Sequence, residues 1–392
     1  MIDSEILKLI RQGEDSQTQF KENFKNDEQL AAEMVAFSNS RGGYILVGVA
    51  DNGEIKGLSK EDIHRLNQLI SNTATENVKP PITPLTQIVE VENKNVLLIE
   101  IKQGINKPYC TIKNIFYTKV GADKRKISRE ELLRLFQESG HLAADEMIIY
   151  DSTIKNLNLD KFKQFFEKNY EQTIEETGLP LETLLENLNL FKDGHFNLAG
   201  LLLFGYNPQR FKPIFMIKGV SFFGNDMADT EYRNSEDITG DMEILYKDGM
   251  AFLLRSLNKL QKDQGFNSLG ILEVSKIALE EVLQNALIHR SYFKNAPIRL
   301  LVFDNRIEII SPGKLPNGLT IENIKYGNTV ARNHIIASFA SKILPYRGLG
   351  TGIQRAIKVQ PDIRFIDDAE AEQFTVIIPR PEKRRQRDRR KN

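Results

Sequence analysis

A carboxylate and an amide lie one helical turn apart in the C-terminal third of the sequence. Glu281 and Asn285 stand at positions i and i+4 of a segment with helical spacing of its apolar residues, so both side chains lie on one helix face. A carboxylate can orient a water molecule, and an amide oxygen is one of the hard donors that Mg²⁺ prefers. The pair alone is weak evidence, because Glu-x-x-x-Asn also occurs on solvated helix faces.

Two downstream segments could complete a site for a phosphorylated ligand. The predicted strand Arg306–Ile310 runs into Ser311-Pro312-Gly313, a break where the backbone can approach a ligand. A glycine-rich turn then leads directly into a predicted helix, and its candidate binding residues are Gly348, Gly350, Thr351 and Gly352. Glycine lacks a Cβ, so backbone N–H groups can close on a phosphate, and the helix N-terminus adds the positive end of its dipole.

The order of these three elements resembles the ATP-binding fold of gyrase, Hsp90, histidine kinases and MutL, the GHKL ATPases. Residues 278–357 more closely resemble the divergent GHKL-type domain of bacterial proteins described as ATP-dependent DNA helicase-related or as predicted transcriptional regulators. The segments that carry this resemblance are Asn285–Tyr292, Ile309–Gly313, Arg332-Asn333 and Gly348–Gly352.

The GHKL resemblance implies a role for each candidate residue. Glu281 would be the general base that orients water, Asn285 the Mg²⁺ ligand, and the glycines of the turn the contacts to phosphate. ATP and Mg²⁺ are therefore the implied cofactors. Ser311 and Gly313 would lie at the adenine end, where Ser311 replaces an aspartate of the GHKL pattern that reads the adenine amino group. A hydroxyl accepts that hydrogen bond more weakly than a carboxylate, so base identity and turnover stay open.

His289 follows Asn285 by one helical turn. With no second His or Cys nearby in the sequence, a metal-binding role is not expected. We interpret it as a hydrogen-bonded structural residue at the end of the helix.

An ordered pattern in the N-terminal third combines acidic residues with a Gly-Gly turn. Its segments are Glu14–Ser16, Gln19–Glu22, Ser38-Asn39, Gly42-Gly43 and Gly48–Gly53. Over residues 13–137 the pattern resembles the Schlafen-type AlbA-like domain, which implies nucleic-acid binding. Some Schlafen proteins also cleave RNA with a carboxylate cluster that holds a divalent cation against the scissile phosphate.

The positions that match the Schlafen carboxylate cluster are Glu14, Gln19 and Asp51. An amide at Gln19 is a poorer metal ligand than a carboxylate and cannot act as a base. Asp51 also suits a plain turn, because Asp-Asn-Gly is a strong turn signal. A nuclease is therefore the less favoured hypothesis, with Glu14 and Asp51 as its catalytic residues.

Basic residues cluster between Tyr117 and the helix predicted from Ser128. They are Lys119, Lys124, Arg125 and Lys126. Basic and aromatic side chains together suit phosphate contact with base stacking, which predicts a nucleic-acid-binding segment. A solvated loop is the alternative interpretation.

The pattern of apolar residues predicts an α+β protein. The sequence is divided into an AlbA-like α/β module at 1–140, a mixed helical connector at 141–265, a GHKL-like α/β sandwich at 266–379 and a basic disordered tail at 380–392. Among the predicted elements are a helix from a cap at Asn26 or Asp27, strands at Phe196–Phe204 and Pro213–Phe223, and a helix at Ile271–His289.

Composition limits the class of protein. The single cysteine, Cys110, excludes an internal disulfide framework, and no apolar run is long enough to span a bilayer. The N-terminus lacks the pattern of a secretory signal, so a cytoplasmic protein without membrane contact is expected. The net charge is zero, but residues 380–392 hold eight basic and two acidic residues. This tail could clamp phosphates or only aid solubility.

The sequence thus favours an ATP-binding regulator that also binds DNA or RNA. Nucleotide binding is expected to change its shape or its association into a homodimer, and thereby its affinity for nucleic acid. Two alternatives stay open at this point. One is a metal-dependent endoribonuclease with an ATP-sensing domain, and the other is a non-catalytic scaffold in which both modules have degenerated.

Overall fold

The structure is a computed structural model that describes residues 3–139, 142–228, 231–260, 270–316, 319–346, 348 and 350–381. The chain forms two compact units, Met1–Leu142 and Ala143–Asn392. Helices and strands occur in both units, which confirms the predicted α+β class. Across the described residues, no helix has both the length and the apolar character needed to cross a bilayer.

The first unit is built on a four-stranded mixed sheet. Its strand order is β1-β2-β5-β4, in which β1 and β2 are parallel and the other neighbours antiparallel. The helices are α1 (Asp3–Gln12), α2 (Asp27–Asn39), α3 (Lys60–Asn72) and α4 (Arg129–Glu138), with a π-helical turn at Thr73–Asn77. The strands are β1 (Thr18–Lys21), β2 (Gly42–Val47), β3 (Val78–Lys79), β4 (Leu85–Val91), β5 (Lys94–Lys102), β6 (Cys110–Thr111), β7 (Tyr117–Val120) and β8 (Asp123–Lys126).

Local signals in the sequence explain where these helices begin. The side chain of Asn26 accepts a hydrogen bond from the Gln29 backbone, which confirms the predicted cap of α2. Ser128 and Glu131 form the expected capping box at α4. Helices α2 and α3 cover one face of the sheet with a core that includes Met34, Phe37 and Leu66. A second core, with Ile6 of α1 and Phe20 of β1, lies on the other face.

Asn39, the last residue of α2, ties three segments of the first unit together. Its buried side chain accepts a hydrogen bond from the Tyr109 backbone N–H at 2.7 Å. It donates to the carbonyls of Tyr109 at 2.8 Å and Tyr117 at 2.9 Å. Helix α2 is thus locked to the segment before β6 and to the hairpin β7–β8.

Replacing Asn39 by alanine is expected to lower the stability of the first unit by about 2–3 kcal/mol. The change removes three hydrogen bonds and leaves buried backbone groups without partners, each costing about 1–3 kcal/mol before relaxation. Hydrogen exchange of amides in β2 and β5, followed by mass spectrometry, measures the loss. Asn72→Ala, at the exposed end of α3, is the matched control and should change protection little. Equal protection in Asn39→Ala and wild type would contradict the assignment.

The second unit is built on a six-stranded sheet with helices packed against it. Its strand order is β12-β11-β15-β16-β18-β17, and only β11 and β15 are parallel. The helices are α5 (Leu159–Tyr170), α6 (Leu181–Asn187), α7 (Leu198–Phe204), α8 (Met242–Arg255), α9 (Lys276–His289), α10 (Ile321–Lys325), α11 (His334–Ile343) and α12 (Gly352–Val359). The strands are β9 (Phe191–Lys192), β10 (His195–Phe196), β11 (Ile217–Phe222), β12 (Tyr232–Ile238), β13 (Lys259–Leu260), β14 (Ile271–Leu272), β15 (Ile298–Val302), β16 (Arg306–Pro312), β17 (Arg364–Asp368) and β18 (Gln373–Pro379).

The sheet of the second unit joins two regions that the sequence analysis assigned to separate domains. Strands β11 and β12 come from the predicted connector, and β11 pairs with β15 of the predicted GHKL-like region. One hydrophobic core runs through both regions, from Phe162 of α5 to Leu283 of α9 and Ile378 of β18. Within this compact unit, the connector therefore supplies part of the sheet that supports the C-terminal region.

The predicted strand at Phe196–Phe204 is wrong. Residues Leu198–Phe204 form α7, and the Asn197 side chain caps it by accepting a hydrogen bond from the Gly200 backbone. Every residue of α7 is buried, so its apolar run shows neither helical nor strand periodicity. The cap was the available signal for a helix.

Arg380 is the residue before the last one that the structure describes in the second unit. The sequence boundary placed it in the basic tail, but its side chain is buried and pairs with Glu273 at 2.6 Å. Its backbone N–H also donates to the Asn305 carbonyl at 2.9 Å. The remaining basic residues of the predicted tail, 382–392, lie outside the described residues.

Candidate functional site

Helix α9 presents three polar side chains to one cleft. Glu281, Asn285 and His289 are spaced by four residues, and all three line the cleft. The cleft also contains Ser311 and Gly313 from the end of β16, together with residues of the glycine-rich turn, Gly348, Gly350, Thr351 and Gly352. The structure thus brings together every predicted residue of the nucleotide site.

The lining of the cleft suits a small organic ligand. The cleft contains about 990 Å³ of space between protein atoms, a figure that includes its open mouth. Most of the lining is apolar, with Val282, Ile309, Ile324, Phe374 and Val376 among its residues. Polar groups lie along α9 and at the glycine-rich turn, and Lys314, Asn328 and Arg332 add further ones.

The glycine-rich turn approaches α9 closely at Gly352. A Cβ atom at this position would overlap Glu281 Oε2 and would lie 3.7 Å from Asn285 Nδ2. Gly350 has a φ of +71°, and a Cβ there would overlap the Gly327 carbonyl oxygen. Gly350 is therefore needed for the path of the backbone, whereas a Cβ at position 352 would displace the Glu281 carboxylate. Carboxylate, amide and helix N-terminus converge at this end of the cleft.

The opposite end of the cleft lies where the last turn of α9 meets the end of β16. The Ser311 hydroxyl donates to the Ala286 carbonyl at 3.3 Å, and the Ser291 backbone N–H donates to the Pro312 carbonyl at 2.7 Å. Asn333, buried at the start of α11, donates to the carbonyls of Ile288 and Arg290. These bonds fix the position of His289 relative to Ser311.

His289 differs from the interpretation made from the sequence. It lines the cleft, and its imidazole makes no hydrogen bond to any side chain or backbone group that the structure describes. Burial, and secondarily the nearby charge of Arg332, lowers the pKa of His289 to about 4. The imidazole is thus neutral at physiological pH, with one N–H donor and one acceptor nitrogen.

This lowered pKa predicts a pH dependence of stability. The folded state binds fewer protons than the unfolded state between the folded pKa of about 4 and the ordinary value of about 6.5. The free energy of unfolding is therefore unaffected by protonation of His289 above pH ~6.5. As the pH falls towards ~4, it decreases by an amount on the order of 3 kcal/mol. Urea unfolding of wild type and His289→Gln across this range measures it. The difference in stability between them should grow with pH; a constant difference would contradict the prediction.

Arg355 of α12 is a residue of the site that the sequence analysis missed. Its guanidinium contacts Glu281 Oε1 at 2.5 Å, and the Glu281 side chain is largely buried. Arg355 lies one turn beyond Gly352, a spacing that carries no distinct signal in the sequence. The structure therefore places the predicted general base in an ion pair with an arginine.

The polar residues of the N-terminal motif form a different arrangement from a metal site. Glu14 accepts hydrogen bonds from the side chain of Gln19 and from the Phe20 backbone N–H. The buried ammonium of Lys119 lies 2.5 Å from Gln19 Oε1. Asp51 is exposed in its turn. Among the described residues, no group of three or more acidic, His or Cys side chains could hold a metal ion.

The four predicted nucleic-acid-binding residues lie on the hairpin β7–β8. Burial lowers the pKa of Lys119, and its hydrogen bond to Gln19 directs the charge inwards, which counts against a phosphate contact. Lys124 pairs with buried Glu33 at 2.7 Å. Arg125 forms a two-pronged pair with Glu131, whose pKa is lowered to about 2, chiefly by that bond. Lys126 is exposed.

Comparison with known families matches both ends of the chain. Residues 14–128 match the model "Schlafen, AlbA_2". Residues 295–378 match a model of the HATPase type, "Putative ATP-dependent DNA helicase recG C-terminal". The chain contains a Schlafen AlbA_2 domain and a HATPase-type domain. Both resemblances stated from the sequence are thereby confirmed, although helix α9, with Glu281 and Asn285, precedes the range of the HATPase match.

Two solved structures are similar over parts of their length. The DIP2311 protein from Corynebacterium diphtheriae is 18% identical, with 97% of this chain and 69% of that chain covered and a TM-score of 0.45. The N-terminal domain of a RecG-related protein from Nitrosomonas europaea, titled "Putative ATP-dependent DNA Helicase RecG-related Protein", is 19% identical. It covers 33% of this chain and 95% of that chain, with a TM-score of 0.25. At these TM-scores neither likeness carries an argument. No curated protein matches the chain significantly.

The two domain matches indicate an ATPase-like, DNA-helicase-related protein in general terms. The HATPase-type domain points to ATP and Mg²⁺ as ligands in the same general sense. The AlbA_2 domain points to interaction with nucleic acid.

Proposed function

We propose that the protein is an ATP-binding regulator whose bound nucleotide modulates its affinity for DNA or RNA. The observation that carries the proposal is the convergence of Glu281, Asn285 and the glycine-rich turn in a single cleft of the HATPase-type domain. The AlbA_2 domain of the same chain supports the nucleic-acid partner.

The donor groups in the cleft fit a Mg²⁺-nucleotide. Asn285 would bind Mg²⁺ through its amide oxygen, a ligand of the type this cation prefers. The backbone at Gly348, Gly350 and Thr351 would hold the phosphates, assisted by the N-terminus of α12. When bound, Mg²⁺ would supply the charge that neutralises the phosphates, and these residues would position the nucleotide along α9.

The ion pair between Glu281 and Arg355 supports slow turnover. A general base must accept a proton from the attacking water, and a carboxylate held by a guanidinium accepts it poorly. Hydrolysis by Glu281 therefore requires the pair to open. This arrangement favours a domain in which nucleotide occupancy, rather than rapid hydrolysis, carries the signal.

The hairpin β7–β8 supplies the candidate nucleic-acid contacts of the AlbA_2 domain. Arg125 and Lys126 carry their charges at its surface, and Tyr117 lies at its start. Phosphate contacts of this kind are independent of sequence and weaken with salt. Lys124 would contribute if its pair with Glu33 opened.

Calorimetric titration of Mg²⁺-ATP into the full chain tests the nucleotide site. We expect one site per chain with micromolar affinity and slow release of phosphate in a parallel assay. Titration without Mg²⁺ should give markedly weaker binding, because the repulsion among phosphates is then not offset. Absence of ATP binding at millimolar concentration would overturn the proposal.

A further inference from the structure

His289 stands at the end of the cleft farthest from the glycine-rich turn. It follows Asn285 by one turn and Glu281 by two, which corresponds to about 6 Å and 12 Å along the axis of α9. Ala286 and Ser291, on either side of it in the sequence, are both hydrogen bonded to the end of β16. The imidazole and Ser311 are therefore held at the same end of the cleft.

Ser311 and His289 offer hydrogen-bonding groups at this end, which also contains the Arg332 guanidinium. Ser311 donates its hydroxyl proton to the Ala286 carbonyl, so its oxygen is left as an acceptor towards the cleft. His289 lines the cleft and has no hydrogen-bond partner among the described residues. A neutral imidazole adds one N–H donor beside the acceptor of Ser311.

An acceptor next to a donor complements one edge of a 6-aminopurine. The exocyclic amine of adenine donates a hydrogen bond, and the ring nitrogens N1 and N7, on either side of it, accept one. A 6-oxopurine such as guanine presents an acceptor in place of the amine, so Ser311 would lose its donor. His289 and Ser311 together can thus recognise adenine, whereas Ser311 alone is a weak substitute for the aspartate of the GHKL pattern.

We propose that His289 is a specificity-determining residue, whose imidazole donates a hydrogen bond to a ring nitrogen of adenine beside the 6-amino group. The inference rests on the proposed nucleotide site and deepens it by naming the base and its second reader. The base lies at the His289–Ser311 end, and the phosphates extend along α9 to Asn285 and Gly352.

The test compares ATP with analogues in wild type, His289→Ala and His289→Gln. The analogues are 1-deaza-ATP and 7-deaza-ATP, in which one ring nitrogen is replaced by carbon, and Mg²⁺-tripolyphosphate, which has no base. Wild type should bind one of the deaza analogues about 5–10-fold more weakly than ATP, the effect of one neutral hydrogen bond. His289→Ala should bind ATP and that analogue equally, while its affinity for tripolyphosphate stays at the wild-type value.

Two further variants distinguish recognition from a structural effect. His289→Gln retains an N–H donor and should recover part of the preference for ATP. His334→Gln changes an exposed histidine outside the cleft and should bind like wild type. If wild type binds ATP but His289→Ala keeps the full preference over both deaza analogues, the inference is overturned while the proposed function stands. If wild type binds no ATP, the proposed function itself fails.

Discussion

Asn285→Ala is expected to weaken the binding of Mg²⁺-ATP about 100-fold. The amide lies at the point where α9 and the glycine-rich turn converge, within 3.7 Å of the position of a Cβ on Gly352. Its removal would take away the proposed oxygen ligand of Mg²⁺, and the phosphates would then lose the charge that offsets their repulsion. An interaction with a charged partner contributes about 1.5–3 kcal/mol, which corresponds to roughly 10–150-fold in affinity.

The fold should tolerate this substitution. Asn285 is only partly buried, and no hydrogen bond of its side chain to a described residue would be lost. Asn285→Asp keeps an oxygen donor and should retain most of the affinity. Glu280→Ala, on the same helix but outside the cleft, is the matched control. Calorimetry that gave equal affinities for Asn285→Ala and Glu280→Ala would contradict the role of Asn285.

Arg290→Ala is expected to have the largest effect on stability, a loss of about 3–5 kcal/mol in the second unit. Its side chain is 2% exposed and lies over the rings of Phe215 and Tyr292, with centroid distances of 4.6 and 4.7 Å. It also donates to the carbonyls of Lys294 and Ala296. The substitution removes two cation–π contacts and two hydrogen bonds to backbone carbonyls, and it opens a cavity.

The buried charge of Arg290 is maintained at neutral pH. Burial lowers the pKa of Arg290 to about 10, which still leaves the guanidinium protonated at pH 7. Arg290→Lys keeps a charge but not the planar group, and it should recover only part of the loss. Arg255→Ala breaks an exposed pair with Glu236 and should cost less than about 1 kcal/mol. Hydrogen exchange of α9 and β15 amides reports these changes; similar protection in Arg290→Ala and Arg255→Ala would refute the assignment.

The grouping of the cleft residues could be predicted from the sequence because they occupy one helix face and two turns. Glu281 and Asn285 have the spacing of a helix surface, and the glycines of the turn precede a helix. Residues with such local spacing lie on the same face of a helix whatever the tertiary structure. His289 has the same spacing and could have been included, but its type suggested a hydrogen-bonded core residue, and the absence of a partner appears only in three dimensions.

Other features depended on contacts that the sequence does not encode locally. Arg355 of α12 contacts Glu281 of α9, and the spacing of the two residues in the sequence does not predict this contact. The cluster of basic residues does not indicate that the Lys119 side chain points inwards to Gln19. That contact depends on the parallel pairing of β1 with β2 and on the position of the hairpin β7–β8. Helix α7 was mistaken for a strand because burial on all sides removes the periodicity on which the prediction relied.

The central claim is that nucleotide occupancy changes the affinity for nucleic acid. The most direct test is fluorescence anisotropy of labelled single-stranded RNA and duplex DNA, titrated with the full chain at fixed salt, with and without saturating Mg²⁺-ATP. For at least one of these nucleic acids, ATP should change the affinity of wild type at least fivefold, which is the lower end of typical coupling. ATP should not change the affinity of Asn285→Ala. Nucleic-acid affinities of wild type that are identical with and without ATP would contradict it.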